Sequence, residues 1–248
     1  FSINDSSLLN LGWELIVILL GTVAFVIFIT LGLAKKFKCP GSTGWLVGFG
    51  TAICGSSAIA ALAPLVSKDK QEIGLALAVV NILGLLGMIV LPYLGMLWLN
   101  DVDLATLIGA SLHSAGNVAG AGFVVNDTVG ELAVTIKMGR IALLTPALFI
   151  FSYFVGKQNS GKVQKFKLPW YLLAFIIVSL LVSVLPISTT ILDGTKWMAN
   201  LFLAVAMAAI GLKMNLSQVA KAGKRGLIFG AVIFALQLIF IIGLLYLL

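Results

Sequence analysis

The sequence contains few charged residues, and this scarcity excludes a large class of proteins. Only 10% of its 248 residues are charged, whereas 60% are hydrophobic. Soluble domains carry charge at about a quarter of their positions, so the composition excludes a soluble globular fold. It predicts an integral membrane protein instead.

Cysteine and histidine are also scarce, with two cysteines and a single histidine in the chain. Cys39 falls in a predicted cytoplasmic connection and Cys54 in an apolar segment, so we expect no disulfide between them. No cluster of residues has the spacing of metal ligands. We therefore expect neither a metal site nor a cofactor.

Long hydrophobic runs are abundant. Each run is long enough for a helix to cross a hydrocarbon layer about 30 Å thick. They predict an all-α membrane protein, a polytopic helical bundle that forms one transmembrane domain over residues 1–248. The predicted spans lie near residues 8–35, 72–99, 129–155, 169–186, 197–212 and 226–248.

The net charge of +7 reflects how the charges are distributed between connections. Lysines concentrate in alternate connections, which the positive-inside rule assigns to the cytoplasm. Five of the six aspartates, all except Asp69, fall in the remaining connections, which are then external. The basic charge therefore indicates membrane orientation and not a nucleic-acid partner.

Two apolar segments are interrupted near their middle by small and polar residues. They are "STGWLVGFGTAICGSSAIAALAPLV" (42–66) and "LATLIGASLHSAGNVAGAGFVV" (104–125). If both turned back as re-entrant hairpins, every flanking charge would obey the positive-inside rule. Broken helices that cross the membrane completely are the alternative, because transporters also use them.

The two interrupted segments align with each other at a constant offset of 59 residues. Glycine, serine and alanine positions match along both segments, and each segment is followed by a long span that opens with acidic residues. The spans that follow run in opposite directions according to the charge-derived topology. The pattern therefore predicts an inverted repeat.

Lys137 and Arg140 are the charges that lie deepest in a predicted span. They share a helix face at positions i and i+3, about 15–20 Å from the external end of that span. No acidic residue has a similar depth, and a charge there needs a partner or water. We interpret the pair as a site that attracts an anion. The alternative is that both side chains snorkel to the membrane surface or donate hydrogen bonds to carbonyls of the hairpins.

The hairpin tips could bind the same anion. Half-helix N-termini offer backbone N–H groups, and glycine lets a ligand approach the main chain closely. The alternative is that these glycines only allow tight helix packing. Asn81 lies in the middle of a predicted span, 59 residues before Arg140, and we expect it to line the same cavity. A helix-to-helix hydrogen bond is the alternative explanation for Asn81. The predicted substrate-binding residues are Gly55, Ser56, Ser57, Asn81, His113, Ser114, Asn117, Lys137 and Arg140.

The chain resembles the YeiH-like family of bacterial inner-membrane proteins, also called the putative sulfate exporter family. The resemblance rests on "GWLVGFGTAICGSSAIAA" (44–61), "IGASLHSAGNVAGAG" (108–122), "AVTIKMGRIALLTP" (133–146) and "AMAAIGLKMNLSQVAKAG" (206–223). It implies a multi-pass protein of the bacterial cytoplasmic membrane. Members of that family carry about three further N-terminal spans, which this chain is expected to lack.

The second tip departs from that family's pattern. Members resemble His-Asp/Glu-x-Ala-Gln-Val-Val there, whereas this chain has Ser114 in place of the acid and Asn117 in place of glutamine. A carboxylate role at this position is therefore not carried over.

These observations favour a secondary transporter of a small anion, such as sulfate, a sulfonate or a small carboxylate, that works by alternating access. An anion channel and an intramembrane enzyme that uses Ser56, Cys54 and His113 are the alternatives. We expect no enzyme, because no acid lies nearby to orient the imidazole. Coupling to H⁺ or Na⁺ and assembly as a homodimer stay open.

Overall fold

The computed structural model describes residues 12–37, 42–67, 69–144, 146–148 and 224–248, with a few isolated positions between 177 and 205. These residues form helices, and no strand occurs among them, which confirms the all-α prediction. The spans predicted at 169–186 and 197–212 lie outside the described residues, apart from isolated positions. The helices are α1 Gly12–Lys36, α2 Thr43–Ala52, α3 Ser56–Val66, α4 Lys70–Gly95, α5 Asp101–Ser111, α6 Ala115–Val125, α7 Asp127–Ala142 and α8 Lys224–Leu247.

Three of these helices are long and apolar enough to cross a membrane, namely α1, α4 and α8. The 26 residues of α4 correspond to a length of about 39 Å. The helices α2, α3, α5 and α6 have only 10 or 11 residues each. They are too short to cross, and they occupy the two interrupted segments.

The first interrupted segment is a re-entrant hairpin, formed by α2 and α3. Ser42 lies at the start of α2 and Ser67 at the end of α3. Both hydroxyls donate to the Oε2 atom of Glu72, over 2.6 and 2.8 Å respectively. Because the two ends of the segment reach one carboxylate, the chain returns to the side from which it entered.

The second segment, formed by α5 and α6, is also re-entrant. The Nδ2 atom of Asn126, which follows α6, donates to Asp101 at the start of α5 over 3.0 Å. Both ends of this segment therefore lie at one level, and fully crossing broken helices are excluded. Helix α5 begins three residues earlier than the predicted segment, because Asn100 caps it by accepting from the Asp103 N–H.

The two hairpins enter from opposite ends of α4. Glu72, which closes the first hairpin, lies in the first turn of α4. The second hairpin begins beyond the other end of α4, where Gly95 packs against Leu104. Both the start and the end of α3 and α6 differ by 59 residues, so the predicted repeat is present and its copies are inverted.

Removal of the Glu72 carboxylate is expected to loosen the base of the first hairpin. Glu72→Leu removes an acceptor that also receives the Ser42 N–H, and we expect a loss of about 2 kcal/mol. That loss corresponds to a Tm lower by about 4–8 °C for a chain of this size. Gln71→Leu is the matched control, because the Gln71 side chain is exposed. Equal melting temperatures for the two variants would show that the carboxylate does not hold the hairpin.

Candidate functional site

Lys137 lies on α7 and is fully buried. Its Nζ atom donates to the carbonyl oxygen of Ile53 over 2.9 Å and to that of Leu112 over 2.5 Å. Ile53 follows α2 and Leu112 follows α5, so one ammonium group joins the first halves of both hairpins. The last carbonyls of a helix lack intrahelical donors and carry partial negative charge, which a cation stabilises.

Arg140 binds the same two helix ends one turn further along α7. Its Nε donates to Ala52 O over 2.9 Å, its Nη1 to Leu112 O over 3.1 Å, and its Nη2 to Thr51 O. The guanidinium is fully buried. Carbonyl groups of the hairpins therefore accept the hydrogen bonds of both cations, as the predicted alternative to an anion required. A direct substrate contact of either residue stays a prediction.

The N-terminus of α3 begins at the first tip. Gly55 adopts φ 70° and ψ −121°, and no side chain caps this helix. Such a backbone conformation suits glycine, because a Cβ atom would strain it. The first backbone N–H groups of an uncapped helix have no intrahelical acceptor, so α3 presents them at the tip.

Helix α6 begins at the second tip, which lies against the first tip. Ser114 caps α6 by accepting from the Asn117 N–H over 3.1 Å. A Cβ atom on Gly55 would lie 3.1 Å from the carbonyl oxygen of His113. The two tips are thus in contact, and only glycine allows this approach.

Helix α4 carries both N-termini on one face. Ser56 Oγ donates to Asn81 Oδ1 over 2.9 Å, which is the predicted alternative of a helix-to-helix bond. One turn later, Gly84 packs against the amide of Asn117. Asn81 is nevertheless exposed, although it lies near the middle of a helix long enough to span the membrane. We call this region the cradle, and define it as residues 55–57, Asn81 and residues 114–117.

The cradle is accessible, whereas the cations behind it are not. Ser56, Ser57 and Ser114 are half-buried, and Asn117 is 5% exposed. The structure therefore brings together the polar residues predicted at the tips. Their role in substrate binding stays a prediction.

His113 lies at the second tip, but its ring points between other helices. Its Nε2 atom is 3.3 Å from Thr51 Oγ1, and its ring packs on Phe234 of α8 with centroids 4.9 Å apart. The Cys54 Sγ atom pairs with Ser57 Oγ at 2.7 Å. The bonds of these side chains thus do not join Ser56, Cys54 and His113 as the enzyme hypothesis required.

Two residues that hold the hairpins in place were not identified from the sequence. Glu72 belongs to the acidic residues that open the span after the first segment, and it joins both ends of the first hairpin. Gln237 lies fully buried in α8 and donates from Nε2 to Ala110 O over 3.1 Å. Its position as the single polar residue inside a long apolar run could have indicated it. Within the described residues, no group of three metal-ligating side chains occurs.

Known proteins similar to this chain are bacterial membrane proteins. The chain is 34% identical over 223 residues to the UPF0324 membrane protein YdhF of Lactococcus lactis, which covers 86% of this chain and 66% of that protein. It is 32% identical over 255 residues to a UPF0324 membrane protein of Helicobacter hepaticus, at coverages of 96% and 72%. It is 29% identical over 242 residues to the UPF0324 inner membrane protein YeiH of Escherichia coli, at 95% and 69%.

The chain thus spans between 66% and 72% of the length of these three relatives. No solved structure matches it. The names of the relatives agree with the apolar helices of the structure, and the protein is a multi-pass inner-membrane protein. Because the family model described as Conserved hypothetical protein 698 matches residues 1–230, the chain belongs to that family.

Proposed function

We propose that the protein is a secondary transporter of a small anion, and that the cradle is its substrate site. The observation that carries the proposal is the meeting of two half-helix N-termini beside an exposed asparagine at the middle of α4. Backbone N–H groups at helix N-termini bind anions. Discontinuous helices in transporters direct such N-termini at anionic substrate groups.

The charge balance of this region supports the same substrate class. The N-terminus of a helix carries about half a positive elementary charge, and the C-terminus about half a negative one. The negative ends of α2 and α5 therefore cancel the positive starts of α3 and α6. With Lys137 and Arg140 protonated, about two positive charges are left. The acidic residues in the described part of the chain lie at the beginnings of helices, away from the tips. They are Glu14, Asp69, Glu72, Asp101, Asp103, Asp127 and Glu131.

An excess of about two positive charges favours anions, including doubly charged ones such as sulfate. Sulfonates and small carboxylates present the same oxygen acceptors to N–H and hydroxyl groups. Lys137 and Arg140 act in this proposal through their field, because carbonyls already accept their hydrogen bonds. The atoms that would contact the anion belong to the N-terminal turns of α3 and α6 and to the side chains of five residues. These are Ser56, Ser57, Asn81, Ser114 and Asn117.

The position of the cradle suits alternating access. Asn81 lies about 17 Å from the start of α4 and about 21 Å from its end, so the site is almost equally far from both hairpin bases. Lys137 and Arg140 connect both tips to α7, so these elements would move together. A displacement of this unit against the other spans would open the cradle to one side at a time.

Transport by the purified protein tests this proposal. We expect proteoliposomes to accumulate labelled sulfate, a sulfonate or a small carboxylate in a saturable manner. Asn81→Leu should lower the rate at least tenfold, because loss of one bond to a charged ligand costs more than 1.4 kcal/mol. Its Tm should change little, since Asn81 is exposed.

Thr128→Val is the control, because Thr128 is exposed at the start of α7 and far from the tips. Flux no higher than that of protein-free liposomes for all three anion classes would contradict the proposal. Unitary currents in bilayer recordings would assign a channel in place of a transporter.

A further inference from the structure

Three buried polar atoms lie around the C-terminal end of α5 and have no hydrogen-bond partner within the described chain. They are Ser111 Oγ, His113 Nδ1 and Gln237 Oε1. All three residues are at most 1% exposed. Buried polar groups in folded proteins are almost always satisfied by protein or by ordered water, so three such atoms in one region need an explanation.

The contacts of α8 bring the three residues together. Gln237 Nε2 donates to the carbonyl of Ala110, so its amide lies beside the residue that precedes Ser111. The His113 ring packs against Phe234, which is one turn before Gln237 on the same helix face. Ser111 and His113 therefore belong to the end of α5, and Gln237 belongs to the face of α8 that packs against it.

The chemistry of these atoms selects their ligand. The Gln237 oxygen only accepts, the Ser111 hydroxyl both donates and accepts, and His113 Nδ1 does either according to its tautomer. A cation would be repelled by Lys137 and Arg140, which bind the neighbouring Leu112 carbonyl. An anion would face the amide oxygen. Water both donates and accepts, and it needs two to four polar partners.

We propose that Ser111, His113 and Gln237 form an internal water site between α5 and α8. The site lies on the opposite side of the imidazole from Thr51, which faces Nε2. Water on Nδ1 gives this buried imidazole a neighbour with which it exchanges its proton. The site does not depend on the proposed anion transport, because it contains no residue of the cradle.

Thermal unfolding of the purified full chain tests the water site. We expect Ser111→Ala to lower the Tm by about 2–4 °C, because the water loses a partner. Removal of a hydroxyl that is unsatisfied and dry would leave the Tm unchanged or raise it. An unchanged or higher Tm would therefore overturn the proposal.

A double-mutant cycle adds a second readout. Ser111→Ala and Gln237→Leu should lower the Tm by less together than the sum of their separate effects, because they share one water. The control pair is Gln237→Leu with Thr43→Val. The Thr43 hydroxyl is also buried and without a partner, but it lies at the start of α2. The effects of these two substitutions on the Tm should therefore add. Additive effects in the Ser111 and Gln237 pair would also overturn the proposal.

Discussion

Arg140→Ala is expected to lower the Tm by about 6–20 °C and to abolish transport. The substitution leaves the carbonyls of Thr51, Ala52 and Leu112 without the donors that they have now. Breaking a buried, hydrogen-bonded charge interaction costs about 3–5 kcal/mol. A chain of this size loses about 2–4 °C of Tm per kcal/mol.

The size of this effect follows from the architecture of the re-entrant hairpins. A helix that stops inside the membrane leaves its last carbonyls without intrahelical donors, and lipid cannot supply donors. Both hairpins stop in this way, at Ala52 and at Ser111. Arg140 and Lys137 supply the donors for both ends, so the hairpins require these cations in order to fold.

Two further variants separate folding from substrate binding. Arg140→Lys keeps the charge but loses the planar set of donors, so we expect an intermediate Tm. Met138→Leu, a substitution of similar volume on the same helix, should change the Tm little. A wild-type Tm for Arg140→Ala would contradict the role in folding. If that variant folded normally and showed only a higher KM, Arg140 would instead contact the substrate directly.

The sequence predicted the hairpins and the repeat because both leave local signals. The glycine and serine interruptions in 42–66 and 104–125 mark where the helices stop, and the offset of 59 aligns them. The sign of the flanking charges selected hairpins over crossing helices, and the bonds at Glu72 and Asn126 agree. These signals depend on composition and spacing, which a single sequence shows.

The choice between the two explanations for the deep cations could not be made from the sequence. Lys137 and Arg140 need a partner at their depth, and either an anion or the hairpin carbonyls could provide it. Backbone carbonyls are present at every residue, so no residue type marks them as acceptors. Only the meeting of two helix ends at α7 shows that Thr51, Ala52, Ile53 and Leu112 accept these bonds.

The location of Asn81 in the candidate site could be predicted from the sequence, but its hydrogen-bond partner could not. Its position at an offset of 59 from Arg140 suggested a related location, and the structure places it beside Ser56. The two residues nevertheless have different partners. Arg140 binds the C-terminal ends of α2 and α5, whereas Asn81 accepts a hydrogen bond at the start of α3. The repeat is symmetric in its helices but asymmetric in its charges. This asymmetry leaves one face of the tips buried against cations and the other face accessible.

Gly55→Ala is expected to reduce anion transport at least tenfold and to lower the Tm. The Cβ atom would meet His113 O at 3.1 Å and Val80 at 3.3 Å, in a backbone conformation with φ +70°. A non-glycine residue in such a conformation costs about 1–3 kcal/mol. The chain can relieve this strain only by moving the start of α3 away from the second tip, which would separate the two N-termini of the cradle.

Gly74→Ala is the matched control, because a Cβ atom there meets nothing within 4 Å and alanine favours the helix by about 0.5–1 kcal/mol. If Gly55→Ala fails to fold, Gly84→Ala tests the same prediction. Its Cβ atom would overlap the Nδ2 atom of Asn117, which is the end of a side chain and can rotate away. This variant should fold, yet displace an amide of the cradle and weaken anion binding. Wild-type transport by a folded Gly55→Ala protein, or by Gly84→Ala, would show that the contact between the two tips does not form the substrate site.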